Sequence, residues 1–131
     1  NTNKKNPNRM ILFIKGRLKS FKYAFRGSYL LLKTEHSIIA QVLIFSVAIA
    51  IGLFVGISKQ DWINQTLAMG LVLAIEGMNT AVEKLADFVH MEDHPKIEFI
   101  KDISAGAVTF AAFAFIIVSV LIYLPHIKSL L

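Results

Sequence analysis

The chain has 131 residues, enough for one domain, and 55% of them are apolar with a mean hydropathy of +0.58. Soluble domains hold about 45–50% apolar and about 25% charged residues; only 18% are charged here, so a membrane protein is expected. No cysteine is present, which excludes disulfides and thiolate metal sites. The net charge of +5 is uneven. Lys4, Lys5, Arg9, Lys15, Arg17, Lys19, Lys22, Arg26 and Lys33 face Glu35 alone in the first 36 residues, a local +8 that leaves −3 for the rest. A basic segment beside apolar spans suits anionic lipid headgroups and not nucleic acid.

Residues 1–8 read as a polar tail. No signal peptide is expected, because the first long uncharged run begins at Ser37. Residues 9–33 read as an amphipathic helix in the membrane interface. Ile14, Leu18, Phe21, Phe25 and Leu32 recur at helical spacing, and Lys15, Lys19, Lys22, Arg26 and Lys33 follow one residue later.

Three membrane spans are expected after it. Residues 37–57 carry no charge over a length that matches the roughly 30 Å hydrocarbon core. Ala48, Gly52 and Gly56 form a small-residue seam in it. Residues 58–61 read as a polar turn, with Trp62 at the boundary of a second span, 62–86. A polar connection follows, with a break near His94 because Pro95 comes next. The third span is 103–124, closed by Pro125. The basic first segment predicts a cytoplasmic N-terminus. Glu35 and residues 83–102 then share the cytoplasmic face.

The second span carries the chemistry. At about 100° per residue, Gly70, Ala74, Gly77 and Ala81 gather on one side, a seam expected to pack against another helix. Glu76, Asn79, Thr80, Glu83 and Asp87 gather on another. Carboxylates inside membrane spans are costly and mark functional sites. Glu76 lies about 10 Å deeper than Glu83. Partial desolvation there suits a proton acceptor. Glu83 is wetter and suits a hydrated divalent cation, with Glu35 as a second carboxylate; Mg²⁺ prefers one or two carboxylates plus water and phosphate oxygens. Lys101 could hold phosphate, and Asp102 could cap the third helix. His36, His90, His94 and His126 show no ligand spacing and read as interfacial polar residues. No GxxxxGK[ST] loop, GxGxxG or kinase HRD or DFG element occurs.

Two non-enzymatic readings compete. A cation-coupled transport subunit would use Glu76 to carry ions, but Glu76 is the deepest acid and the polar face is not continued outward beyond Thr66. A scaffold would use the polar face to set its assembly.

Glu76-x-x-Asn79-x-x-x-Glu83, followed by Lys101-Asp102-x-x-Ala105-Gly106-Ala107-Val108, resembles the prokaryotic diacylglycerol kinase family, which includes undecaprenol kinases. Arg26-Gly27 with Glu35 nine residues after the arginine adds to the resemblance, which spans about Lys19 to Pro125. It implies an all-α integral membrane fold: an N-terminal amphipathic interfacial helix and three transmembrane helices, assembled as a homotrimer with shared sites. It implies transfer of the γ-phosphoryl group of ATP to a lipid hydroxyl with Mg²⁺, on the cytoplasmic face of a bacterial inner membrane. By motif position Glu76 resembles the proton acceptor, and Glu35 and Glu83 the metal ligands. Tyr23, Glu92, Asp93, His94, Lys101 and Asp102 resemble the nucleotide contacts, which Glu35 and Glu83 join. Asn79 and Ser104 resemble lipid-site residues. Two positions depart: a family arginine aligns on Gly16 with Arg17 next to it, and a family serine aligns on Ala105 with Ser104 next to it. The Thr34-Glu35 and Asn79-Thr80-Ala81 versions are similar to the undecaprenol-kinase branch.

Overall fold

The computed structural model describes residues 7–90 and 94–128, with side chains from Arg9 onward. Four helices account for nearly all of them: α1 Pro7–Thr34, α2 His36–Val55, α3 Lys59–Val89 and α4 Pro95–Lys128. No strand occurs among the described residues. The chain divides into two compact units, Asn1–Glu35 and His36–Leu131.

The first unit is a single helix that leaves its apolar side chains open. Ile14, Leu18, Phe21 and Phe25 are all exposed. Lysine and arginine tips fold back over aromatic rings one turn away. Arg17 Cζ lies 5.6 Å from the Phe13 ring centre, and Lys19 Nζ and Lys33 Nζ each lie 5.9 Å from Tyr23 and Tyr29. Such exposed cation–π contacts contribute about 0.5–1 kcal/mol each. They turn charge and aromatic surface toward the same side of the helix.

In the second unit, α2 and α4 are long and apolar enough to cross a membrane. Twenty residues of α2 cover about 30 Å. Most of their side chains remain exposed within the chain; Phe54 at 93% and Phe110 at 79% are examples. Apolar surface left open on this scale is what a bilayer covers. This is a membrane protein.

Helix α3 runs through the middle of this unit and packs against both α2 and α4. The shared core holds Phe45, Met69, Val72 and Ala111, flanked by Ala48, Leu73, Ile75 and Phe115. The Phe45 and Phe115 rings meet at 4.9 Å between centres with a 59° tilt, the edge-to-face range aromatic pairs prefer.

The turn between α2 and α3 explains its own boundaries. Gly56 has φ +74°, the left-handed conformation that glycine adopts without steric cost. The amides of Gly56 and Ile57 both donate to the Gly52 carbonyl, at 3.0 and 3.2 Å, and Ile57 folds back into the core. That is a glycine-based C-terminal cap with its apolar contact. Ser58 then caps α3. Its Oγ accepts from the Asp61 amide at 3.2 Å, and its own amide donates to Asp61 Oδ2 at 3.2 Å. This reciprocal capping box starts the helix at Lys59. Lys59–Asp61, expected as turn, are therefore its first residues.

Below this turn three helices meet closely. A Cβ added at Gly52 would stand 3.0 Å from Trp62 Cη2 and 3.1 Å from Ile57 Cδ1 and Tyr123 Oη. The Tyr123 hydroxyl lies 2.6 Å from Gln65 Oε1 and 2.9 Å from the Ala48 carbonyl, so one donor serves acceptors on α3 and α2. Gln65 is 1% exposed and its Nε2 has no partner. The expectation that the polar side of α3 ends at Thr66 is corrected by this buried amide.

The far end of the hairpin begins with Pro95 at the first position of α4, where a missing amide costs nothing. The His94 carbonyl accepts from Ile97 and Glu98, and its Nδ1 accepts from the Lys96 amide at 3.2 Å. The break expected near His94 is therefore where α4 starts. Asp102 lies two turns inside α4 and does not cap it, because the helix begins at Pro95 and not near Ile103. Pro125 does not close α4, which continues through it to Lys128. A proline one turn from a helix end forfeits a single backbone bond.

Candidate functional site

Two cross-helix pairs fix the register of α3 against α4. Asp87 pairs with Lys101, and Gln65 with Tyr123. Both are centred on residue 94. Asn79 is thus level with Thr109, and Glu83 with Ala105. Small residues on α4 oppose the acidic part of α3.

The polar side of α3 faces inward. Glu76, Asn79 and Thr80 are buried, at 7%, 8% and 6% exposure. Glu83 is half-buried and Asp87 exposed. The small-residue seam lies on the open side of α3 within the chain: Gly70, Ala74 and Ala81 are exposed and Gly77 is half-buried. A Cβ at Gly70 would meet nothing within 4 Å. A helical wheel groups residues by side without saying which side turns inward. Burying Glu76, Asn79 and Thr80 among helices keeps them from the hydrocarbon, where unsatisfied polar groups cost most. The small residues carry no such penalty and stay outside.

One hydrogen bond organises this surface. Asn79 Nδ2 donates to Glu83 Oε1 at 2.8 Å, along the helix. Asn79 Oδ1 is buried and accepts nothing. An orphaned amide oxygen costs about 1–3 kcal/mol, and such buried exceptions call for an explanation. It offers a hard-oxygen acceptor beside a carboxylate. Going outward from Glu76, the surface passes from a buried acid through an amide to a half-wet acid and then an exposed one. The axial distance from Glu76 to Asp87 is about 16 Å.

The other expected residues fall as follows. Lys101 Nζ sits 3.0 Å from Asp87 Oδ1. Asp102 is exposed and Ser104 half-buried, both on α4. His94 starts α4, and its ring lies 5.2 Å from that of His90, so these two histidines do come together. Glu92 and Asp93 lie outside the described residues. In the first unit, Tyr23 is exposed and Glu35 is half-buried. Glu35 Oε1 accepts from Thr34 Oγ1 at 2.7 Å.

No group of three histidine, aspartate or glutamate side chains converges among the described residues. A closed metal cage is therefore not built among them. The donors present still fit Mg²⁺, which takes one or two carboxylates and fills its shell with water and phosphate oxygens. Glu83, with the free Asn79 Oδ1 near it, supplies hard oxygens of that kind. Glu76 is two helical turns from Glu83, about 10 Å along the axis, too far for both to hold one ion.

Residues 22–123 match the family described as prokaryotic diacylglycerol kinase. The chain belongs to that family. Every residue of the expected site falls within the matched segment. A curated relative, the undecaprenol kinase of Bacillus subtilis (strain 168), is 31% identical over 109 residues, covering 83% of this chain and 89% of the relative. As a member of the diacylglycerol kinase family the chain is a lipid kinase, and its substrate is a membrane lipid. Within this family member, Gln65 and Tyr123 are the polar residues that sequence reasoning missed. A usable signal existed: an amide deep in an apolar run needs a partner, and a tyrosine near the end of another span is a natural one.

Proposed function

We propose that this kinase transfers the γ-phosphoryl group of ATP to the hydroxyl of a membrane lipid alcohol at the cytoplasmic face of a bacterial inner membrane. The observation that carries the reading is the burial gradient on α3, from Glu76 inside to Glu83 at the wet end, tied by Asn79. A lipid hydroxyl arrives from the apolar side and a nucleotide from water, so a phosphoryl-transfer site needs one polar face that reaches both.

Glu76 takes the hydroxyl proton as the lipid oxygen attacks the γ-phosphorus. The new O–P bond forms while the bond from the γ-phosphorus to the bridging oxygen breaks, and ADP leaves. Glu35 and Glu83 would hold Mg²⁺, which would neutralise phosphate charge. Lys101 binds phosphate oxygens, and Tyr23, Glu92, Asp93, His94 and Asp102 complete the nucleotide contacts. Asn79 and Ser104 orient the lipid hydroxyl. Positioning and charge neutralisation dominate catalysis of this kind.

In this reading α2, α3 and α4 all span the bilayer, α1 lies in the interface, and three chains share sites in a homotrimer. The exposed apolar and aromatic surface of α1, interleaved with its lysines and arginines, supports the interfacial placement. The exposed small-residue side of α3 supports close contact with another chain. An ion path is disfavoured, because buried Ala68, Met69 and Val72 separate Gln65 from Glu76. The relative's name makes a polyprenol the first lipid to try.

The test is direct. Purified protein receives labelled ATP and Mg²⁺, with undecaprenol or diacylglycerol in separate mixed micelles, and products are separated by chromatography. Labelled undecaprenyl phosphate or phosphatidic acid is expected. ATP-independent ion flux in liposomes, with no labelled lipid from either alcohol, would replace the reading with transport.

A further inference from the structure

Thr80 has no part in the chemistry above, yet it lies between the two acids of α3 and is buried, at 6% exposure. Several helical hydroxyls elsewhere in the chain are committed to the backbone. Ser20, Ser28, Ser46 and Thr109 each donate to the carbonyl four residues earlier, at 2.8–3.4 Å. Thr80 does not: its hydroxyl has no hydrogen-bond partner among the described residues. A buried hydroxyl without a partner costs stability, and the helix offers it a carbonyl one turn back. Left unused, the group keeps one donor and two acceptor lone pairs.

Donors are what this stretch lacks. Asn79 Nδ2 is given to Glu83 Oε1 at 2.8 Å, and its unused Oδ1 can only accept. The hairpin register sets Ala112, Val108 and Ala105 of α4 level with Glu76, Thr80 and Glu83, and none of the three has a polar side chain. Thr109, level with Asn79, has its hydroxyl on the Ala105 carbonyl at 3.4 Å. Lys101 pairs with Asp87, one turn beyond Glu83. Between the two acids the Thr80 hydroxyl is the donor that remains.

Its level matters as well. Thr80 lies about 6 Å from Glu76 along the axis and about 4.5 Å from Glu83. A lipid hydroxyl about 2.7 Å from Glu76, with the γ-phosphorus about 3 Å further on, brings the transferring group level with Thr80. We propose that Thr80 is a further catalytic residue, whose hydroxyl donates to an equatorial oxygen of the γ-phosphoryl group as that group passes to the lipid. The inference rests on the reading in which Glu76 receives the proton and Glu83 lies on the metal side of the phosphates. Charge spreads over the three equatorial oxygens in the transition state. A fixed donor aimed at that charge lowers the barrier without reorganisation. No bond of Thr80 is made or broken: the lipid proton goes to Glu76, and the electron pair of the broken P–O bond leaves with ADP.

The experiment compares wild type, Thr80→Val and Thr80→Ser as full chains in lipid micelles, varying MgATP and the lipid alcohol separately and recording thermal melting in parallel. Valine keeps the β-branched shape and removes the hydroxyl. Thr80→Val is expected to lower kcat about 10²-fold, the scale of losing one such donor, with both KM values within about twofold of wild type. Its melting temperature stays level or rises, because a methyl replaces an unpartnered buried hydroxyl. Thr80→Ser recovers most of kcat. A kcat for Thr80→Val close to wild type overturns the proposal, as does a KM for the lipid that rises while kcat holds. So does a lower melting temperature in Thr80→Val, or a Thr80→Ser variant no better than Thr80→Val, since either makes the role structural. A displaced acid limb in the pH profile of kcat would assign the hydroxyl to the Glu76 carboxylate and overturn it too. If wild type itself phosphorylates no lipid with ATP, the underlying reading fails first and separately.

Discussion

The two ends of α3 are built differently. At the Ser58 end, bonds run between helices: Tyr123 reaches Gln65 and Ala48, Gly52 lets three side chains close in, and a capping box ties off the amides. At the Glu76 end, the buried polar bond runs along α3 itself, from Asn79 to Glu83, and Asn79 keeps an unused oxygen. The cross-helix link there is the exposed pair of Asp87 and Lys101. Between them lie Ala68, Met69 and Val72, an apolar stretch that isolates one polar cluster from the other. The first end spends its polar groups on holding helices together. The second leaves them available, as a site for incoming ligands requires.

Substitutions that separate activity from stability would break or sharpen this contrast. The largest effect is expected from Glu76→Gln. Loss of a general base costs about 10²- to 10⁴-fold in rate, so lipid phosphorylation should fall to that extent while the melting temperature stays close to wild type. An active Glu76→Gln enzyme would remove the proton-acceptor role from Glu76. Glu83→Ala comes next. It should lower turnover at saturating lipid and shift the Mg²⁺ titration to higher concentration, and an unchanged titration would dismiss the metal role.

The Ser58 end should respond in the opposite way. Tyr123→Phe removes the hydroxyl and leaves Gln65 buried without its donor, a loss of about 1–3 kcal/mol of stability. Denaturation in detergent should record it, with kcat and both KM values little changed. If Tyr123→Phe instead abolished turnover at wild-type stability, the division between the ends would be wrong. Ser58→Ala should have the smallest effect, about 0.5–2 kcal/mol from loss of the cap. The same melting measurement checks it.

Much of this was readable in the residues. The four helices follow from hydropathy and spacing, and the grouping of Glu76, Asn79, Thr80 and Glu83 on one side follows from helical geometry. Their ends were less readable, because caps decide them. Ser58 with Asp61 and His94 with Pro95 pull α3 and α4 into segments that look like loop by polarity alone. Pro125 looked like a stop, but it stands where only the last turn is left to disturb. Which side of α3 turns inward was not readable from the wheel, because small residues suit contact in any setting, while the cost of exposing polar groups to lipid applies only to the side that carries them. Gln65 and Tyr123 are 58 residues apart in sequence, and only the hairpin register brings them together.

The joint between α1 and α2 has a practical side. Glu35 is the single non-helical residue between Thr34 and His36. Any change in the angle between the two helices must be absorbed in its backbone or in the helix ends beside it. A detergent or lipid mixture that acts on α1 is therefore expected to reach the backbone at Glu35 first. If Glu35 helps to hold Mg²⁺ as proposed, two laboratories working with the same pure protein in different amphiphiles could obtain different metal requirements from one unchanged fold.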